Sequence, residues 1–368
     1  MVDLTEVEKL KIGLMTHGMV VTSSAREAMA GDTNAPLTLA DYASTSGISM
    51  ELEQGIWVNA PFKDHNPNFV NDNVDYELSF TNGLFFVTFE DREIKARPIP
   101  VPAYHTGKAS NGEPYRNLAI THTDRVRISP IEGCAIVCKF CDLPYEFRYR
   151  TKDVNDLVES VKVALEDQIQ PARHVLISGG TPRPEDYDYQ NEVYRAVASA
   201  FPGVDVDVMM VPMPGLLDAQ KLKEVGINGL SINLELYNEE RARKIMPGKY
   251  KASRKLYFDF IEQAVPFFGE GKVRSLLMVG IESLEDTLKG VEALAQRGCD
   301  PVLSPFRPDP STPMRTELPP SEDFLKEVYF RSREIVERYP GVKLGPRCIP
   351  CQHNTLTFPD NSGKYFSY

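Results

Sequence analysis

The stretch that decides the fold runs RVRISPIEGCAIVCKFCDLPYEFRYRTKDVNDLVESVKVALEDQIQPARHVLISGG, from Arg125 to Gly180. It opens on an apolar run at 125–130, passes a cysteine-bearing loop, becomes amphipathic over 153–168 and closes on HVLISGG at 174–180. In the middle run Val154, Leu157, Val158, Val161 and Leu165 recur at helical spacing and share one face. Strand, crossover helix, strand is the pattern expected of a βα unit.

The unit repeats down the chain. Strands are expected at 204–213, 226–236, 272–281 and 300–308, and helices at 185–200, 215–225, 253–268, 283–298 and 321–338. GVKLGP at 341–346 has the pattern of a short seventh strand. Near-continuous apolar strands that alternate with helices imply a parallel sheet covered by helices. Six good units point to an α/β fold, a partial (β/α)6 TIM-like barrel. A closed eightfold barrel usually needs ~250 residues. A doubly wound open sheet is the alternative, but the glycine-rich phosphate loop of that fold is missing after the first strand.

Upstream the texture changes. Residues 1–120 mix short elements: one or two helical turns at 38–45, an apolar stretch around Trp57, a strand over 83–90, and an extended run from Arg97 to Pro102 set by its prolines. This is expected to be an accessory α+β region, before a barrel over 121–340 and a C-terminal, cysteine-containing extension over 341–368. His17, His65, His105 and His122 are scattered there without a motif.

Composition bounds the function. The chain has 368 residues, 42% apolar, with 41 Lys+Arg against 52 Asp+Glu and a net charge of −11. An acidic balance argues against nucleic acid or an anionic membrane as partner. No apolar run approaches the ~20 residues of a membrane helix, and the MVDLTEVEKLK start has no apolar stretch behind it. Six cysteines are too sparse for a disulfide scaffold. A cytoplasmic location follows as the expectation.

The cysteines cluster. Cys134, Cys138 and Cys141 stand in C-x3-C-x2-C spacing on the loop after the first barrel strand. Thiolates are the ligands of iron–sulfur clusters. A cubane has four irons, so three cysteines leave one iron open for chemistry. A zinc knuckle would want a fourth nitrogen or sulfur ligand nearby, and DLPYEFRYRT offers only carboxylates.

This loop, with Phe140 before its last cysteine, resembles the signature of the radical S-adenosylmethionine (SAM) superfamily, nearest to its biotin-synthase, lipoyl-synthase and hydrogenase-maturase-like branch. The resemblance covers residues 125–308. It implies a [4Fe-4S] cluster on Cys134, Cys138 and Cys141, with SAM on the fourth iron. It further implies reductive cleavage of SAM to a 5′-deoxyadenosyl radical that abstracts hydrogen from a small-molecule substrate. Gly179, Gly180, Thr181 and Pro182, at the end of the second strand, are similar to the family's segment for the SAM amino group. Ser231, Asn233 and Glu235 alternate with apolar residues on the fourth strand and are expected to line the barrel. Glu282 and Arg307 end the fifth and sixth strands, and Arg307 could grip a carboxylate at the barrel mouth. Lys139, Arg148 and Arg150 could dock an acidic flavodoxin or ferredoxin as electron donor. Tyr145, Tyr149 and Tyr237 could donate a hydrogen atom, but with 16 tyrosines in the chain none is singled out.

A second pair, Cys348 and Cys351, follows the expected seventh strand and should emerge at the C-terminal mouth, with His353 beside it. Four readings stand open: an auxiliary iron–sulfur cluster completed by His353, zinc with His353, a redox dithiol, or a structural pair. An auxiliary cluster would allow sulfur insertion. Cys299, at the start of a strand, is expected at the opposite end of the barrel as a buried hydrophobe. A non-catalytic iron–sulfur or zinc protein for assembly or electron transfer is the contrasting class.

Overall fold

A computed structural model describes residues 3–30, 47–62, 75–89, 91–251, 253–360 and 364–367. The expected helical turns at 38–45, and His65, lie outside them.

The N-terminal layer is a six-stranded sheet. Its strands are β1 (Val20–Val21), β2 (Gly47–Leu52), β3 (Trp57–Pro61), β4 (Tyr76–Thr81), β5 (Leu84–Phe89) and β6 (Arg92–Pro98). They lie in the order β1-β4-β5-β6-β2-β3. The helix Glu6–His17 precedes them. Thr5 and Glu8 close a capping box at its start, and Val7, Leu10, Leu14 and Met15 are buried. The accessory region is therefore α+β in composition, as its mixed texture suggests.

A hairpin of β7 (Ala119–His122) and β8 (Arg125–Ile128) opens the larger sheet. The short pair β9 (Ile131–Glu132) and β10 (Arg150–Thr151) follows, and then β11 (His174–Ile177), β12 (Val206–Met209), β13 (Gly229–Ser231), β14 (Val273–Val279) and β15 (Asp300–Pro305). The order is β15-β14-β13-β12-β11-β8-β7, with every pair parallel except β7–β8. Consecutive strands are neighbours throughout and the order never reverses. A doubly wound sheet reverses at its switch point, so the fold is the partial (β/α)6 barrel. Antiparallel β7 is an addition at its edge that the apolar pattern did not signal.

The helices between these strands cover one face. Val154–Leu165, Tyr187–Ala200 and Leu284–Ala295 turn Leu157, Val161, Val193 and Val291 toward the sheet, and Glu322–Val336, which follows the last strand, packs on Leu284–Ala295. Polar N-caps start them where the sequence changes texture: Asp153, Ser283 and Ser321 each accept a backbone N–H of the first turn.

Two expectations change. GVKLGP forms no strand. Gly345 makes a single bridge to Val302, and its N–H donates to Pro301. The fourth barrel strand is interrupted after Ser231. Ile232 donates to Arg274 and Glu235 to Leu276, three residues against two, which is a bulge. Glu235 sits at φ 65.

The C-terminal extension then turns back toward the N-terminal ends of the barrel strands. Arg347 forks onto Asp300 at the start of β15, with bonds of 2.6 and 3.0 Å. Beyond it a short 3-10 turn over Pro350–Asn354 meets the N-terminal layer. Lys11, 1% exposed, donates to the carbonyls of Gln352 and Thr357 at 2.8 Å each and lies over the Phe358 ring. Lys11→Met keeps the apolar stem and removes the ammonium from Thr357 O, while Gln352 O keeps the Thr355 N–H. It should lower unfolding free energy by about 1–3 kcal/mol in a urea titration, and a midpoint equal to the wild type would refute this tie.

Candidate active site

The cysteine loop is pinched at its base by the β9–β10 pair, Arg150 opposite Glu132 and Thr151 opposite Ile131. Within it, Cys141 N–H donates to Cys138 O and Lys139 N–H to Ile245 O. The loop is fixed to the turn after β11 by two bonds. Ala135 N–H donates to Thr181 O at 3.0 Å, and Thr181 N–H donates to Cys134 Sγ at 3.1 Å. Gly180 makes this approach possible. A Cβ there would stand 1.7 Å from Gly133 O, so no other residue fits without moving the loop.

Three thiols thus share a wall with a strand-end turn, above a cavity of about 770 Å³. That volume suits a cofactor with a small substrate. Cys134, Cys138, Cys141 and Phe140 line it, as do Gly179, Thr181, Ser231, Asn233 and Glu235. The bulge therefore keeps the three polar residues of the fourth strand on the cavity despite the broken alternation. Ser231 Oγ donates to Asn233 Oδ1 at 2.8 Å, and Asn233 Oδ1 also accepts Leu276 N–H. Burial pushes the Cys138 thiol up to about 12, and burial with the Asp142 carboxylate pushes Cys141 up as well. A metal on these thiols would release their protons. The donor set fits a [4Fe-4S] cluster: three soft ligands on one loop, all lining a cavity that also carries polar groups.

Lys249 and Arg127 are among the cavity residues that escaped the sequence reading. Lys249, on the one-turn helix Pro247–Tyr250, bonds Glu235 at 2.7 Å, with both side chains 10% exposed. Glu235 holds the Lys249 ammonium charged against the cost of burial. No sequence signal marks it. Arg127 also lines the cavity, and burial lowers its pKa. Its signal was present: Arg125, Arg127 and Ser129 alternate in β8 and just beyond it as Ser231, Asn233 and Glu235 do later.

Other candidates go elsewhere. Gly180 packs on Gly133 rather than facing the cavity, and Pro182 is not on its lining. Arg307 does not reach the cavity either. It donates to Asn59 O at 2.9 Å and Asn59 Oδ1 at 3.0 Å, joining the barrel to β3. Glu282 accepts the N–H groups of Tyr237 and Asn238, and burial pushes it up to about 7. Arg150 is engaged by Glu132 and Glu113.

The second cysteine pair requires a larger correction. Cys348 and Cys351 do not emerge at the mouth. Because the chain turns back at Gly345, they lie at the N-terminal ends of β8 and β11, the end opposite the cavity. There they meet Asp124, which directly precedes β8, and His174, the first residue of β11. All four ligand atoms lie within 4.8 Å of one another, so the group can hold a metal. His353 is not a member. Its Nδ1 is 3.1 Å from Pro350 O, and its ring stacks on His122. Cys299, fully buried and directly before β15, is at the N-terminal end of the barrel strands where it was expected; the pair has moved to that end, and Cys299 stays outside the group.

The radical SAM superfamily model matches residues 128–305. A bacteriochlorophyllide c C-7(1)-hydroxylase from Chlorobaculum limnaeum is 26% identical over 192 residues, 52% of this chain and 41% of that protein. A GTP 3′,8-cyclase from Aliarcobacter butzleri (strain RM4018) is 27% identical over 182 residues, 48% of this chain and 53% of that protein. The chain thus spans about half the length of the curated relatives it matches. Among solved structures, an FeFe-hydrogenase maturase from Carboxydothermus hydrogenoformans has a TM-score of 0.48 at 18% identity, covering 61% of this chain and 54% of that one. A radical SAM methyltransferase from Sphaerobacter thermophilus has a TM-score of 0.47 at 15% identity, covering 73% and 76%.

Gly180→Ala drives a methyl group into Gly133 O. It should cost about 1–3 kcal/mol of stability and lower the iron retained after anaerobic reconstitution several-fold. Wild-type iron content and melting temperature together would show that the two loops do not depend on this contact.

Proposed function

This chain carries a radical SAM domain and is an enzyme of that class, and from that premise we propose that it cleaves SAM reductively and abstracts hydrogen from a small-molecule substrate held in the 770 Å³ cavity. The observation that carries the reading is the joint between the Cys134–Cys141 loop and the Gly179–Pro182 turn over that cavity. Cys134, Cys138 and Cys141 would hold a [4Fe-4S] cluster, which would supply the electron for cleavage of SAM.

The chain's own groups do the holding. Gly179 and Thr181 present backbone to the SAM amino group. Arg127 offers a buried guanidinium, suited to a carboxylate in a fork. Ser231, Asn233 and the Glu235–Lys249 pair line the wall beside them, in position for the sugar and base. Met209, Met210 and Val211 make an apolar side against which a substrate can exclude water. The names of the two curated relatives, a hydroxylase of a bacteriochlorophyllide and a cyclase of GTP, support a small molecule as substrate.

Around the cysteine loop Lys139 and Arg148 are exposed beside Val137, Tyr145 and Phe147, which are 46%, 40% and 43% exposed. A basic and apolar rim of this kind suits an acidic flavodoxin or ferredoxin as electron donor. All six cysteines are free, which supports a reducing cytoplasm. Among the described residues no helix is long and apolar enough to cross a membrane. Sulfur insertion draws no support from the second pair, because neither Cys348 nor Cys351 lines the cavity.

Anaerobically reconstituted protein with dithionite and SAM should yield 5′-deoxyadenosine by liquid chromatography. Cys138→Ala should abolish both iron binding and product. Loaded wild type that makes no 5′-deoxyadenosine would defeat the reading. Arg127→Met should weaken SAM binding about 10–100-fold, the worth of a hydrogen bond to a charged group, in equilibrium dialysis. Unchanged affinity removes Arg127 from that role.

A further inference from the structure

We propose that Asp124, His174, Cys348 and Cys351 form a closed, mononuclear zinc site that fastens the C-terminal extension to the base of β8 and β11. The distances carry the argument. Cys348 Sγ stands 3.7 Å from His174 Nε2 and 3.7 Å from Asp124 Oδ1. Cys351 Sγ stands 3.4 Å from His174 Nε2 and 4.0 Å from Asp124 Oδ1, and His174 Nε2 is 3.5 Å from Asp124 Oδ1. Four donors at about 2.0–2.3 Å from one ion, at tetrahedral angles, stand about 3.3–3.8 Å apart. Four of the six edges of one coordination tetrahedron are already at that length, Cys351–Asp124 is slightly longer, and the sixth, between the two sulfurs, is under 4.8 Å.

The same edges exclude an auxiliary cluster. Cluster ligands are shared among several irons, and their donor atoms are spread wider than the edge of one ion's shell. Here four of the five separations are one-ion edges and the fifth, 4.0 Å, is close to one. The chemistry selects the metal. Two sulfurs, one imidazole and one carboxylate in a tetrahedron suit zinc, which takes all three donor types. Four protein ligands leave no open position, and that marks a structural site. Burial agrees: the His174 side chain is 3% exposed and that of Asp124 13%.

Charge points the same way. Two thiolates and a carboxylate gathered in the interior would be costly without a cation. A divalent ion brings the group to −1. The local fold supplies each ligand. The Cys-x2-Cys segment enters a 3-10 turn that turns both sulfurs to one side. Parallel pairing sets His174 opposite Arg125, so Asp124, one residue earlier, comes alongside. The ion would join residues 227 positions apart. It would anchor the lower ends of the two strands whose upper ends carry the cysteine loop and the glycine turn. Through Lys11, the same extension carries that anchor to the N-terminal layer.

The test is elemental analysis of the full chain, purified with zinc in the medium. About one zinc per chain is expected. It should persist in the Cys134→Ala/Cys138→Ala/Cys141→Ala variant, which holds no iron, and in His353→Ala. It should be lost in Cys348→Ser/Cys351→Ser and in His174→Ala. If those variants do not fold, wild type exchanged into cobalt(II) decides: intense visible d–d bands with thiolate-to-cobalt charge transfer support the site, and their absence overturns it. A metal-free Cys348–Cys351 disulfide overturns it too, as does zinc that leaves with His353→Ala but stays in His174→Ala. Iron near eight per chain, falling to four in the Cys348→Ser/Cys351→Ser variant, would replace it with an auxiliary cluster. Metal content is read independently of 5′-deoxyadenosine, so the outcome is separable from the SAM-cleaving activity.

Discussion

Two βα loops can meet over one cavity only if a backbone passes where a side chain would otherwise stand. Gly180 provides that passage. Its missing Cβ lets the turn after β11 close on Gly133 O, and the amide of Thr181 then reaches Cys134 Sγ. Everything proposed for SAM depends on this contact. Without it the thiols and the glycine turn would be two separate strand ends. Loops at the C-terminal ends of neighbouring parallel strands come within reach of one another, but reach alone does not make a joint.

Most of the barrel was legible in the sequence, for a physical reason. Strands buried on both faces must be apolar throughout, and helices packed on one face must be apolar on a stripe. Both periods therefore show in runs such as HVLISGG and DVNDLVESVKVALEDQ. The cysteine loop was legible because thiols at that spacing have few other uses. Glu235 was placed on the cavity correctly, although the alternation that suggested it is broken by the bulge.

What was not legible depends on chain direction and distant partners. GVKLGP has a strand's composition, but its backbone bonds to β15 at one place before the chain turns back. That reversal moves Cys348 and Cys351 from the mouth to the base, and no local pattern announces it. His353 seemed the natural third ligand because it is near in sequence. His174, the one the fold supplies, was hidden as the opening residue of an apolar strand. Arg307 was expected to face the cavity, and Asn59 from the accessory layer engages it instead.

The amine of Lys11 has a consequence for how the protein is made. Its two acceptors lie 341 and 346 residues downstream. The first helix can form as soon as it leaves the ribosome, but it cannot lock into place until nearly the whole chain has been synthesised. The barrel strands, each paired with the next in sequence, can assemble meanwhile. The N-terminal layer thus precedes the barrel in the chain and is among the last parts to be secured, held until then by its own sheet, and native assembly completes only when residues 352–357 arrive.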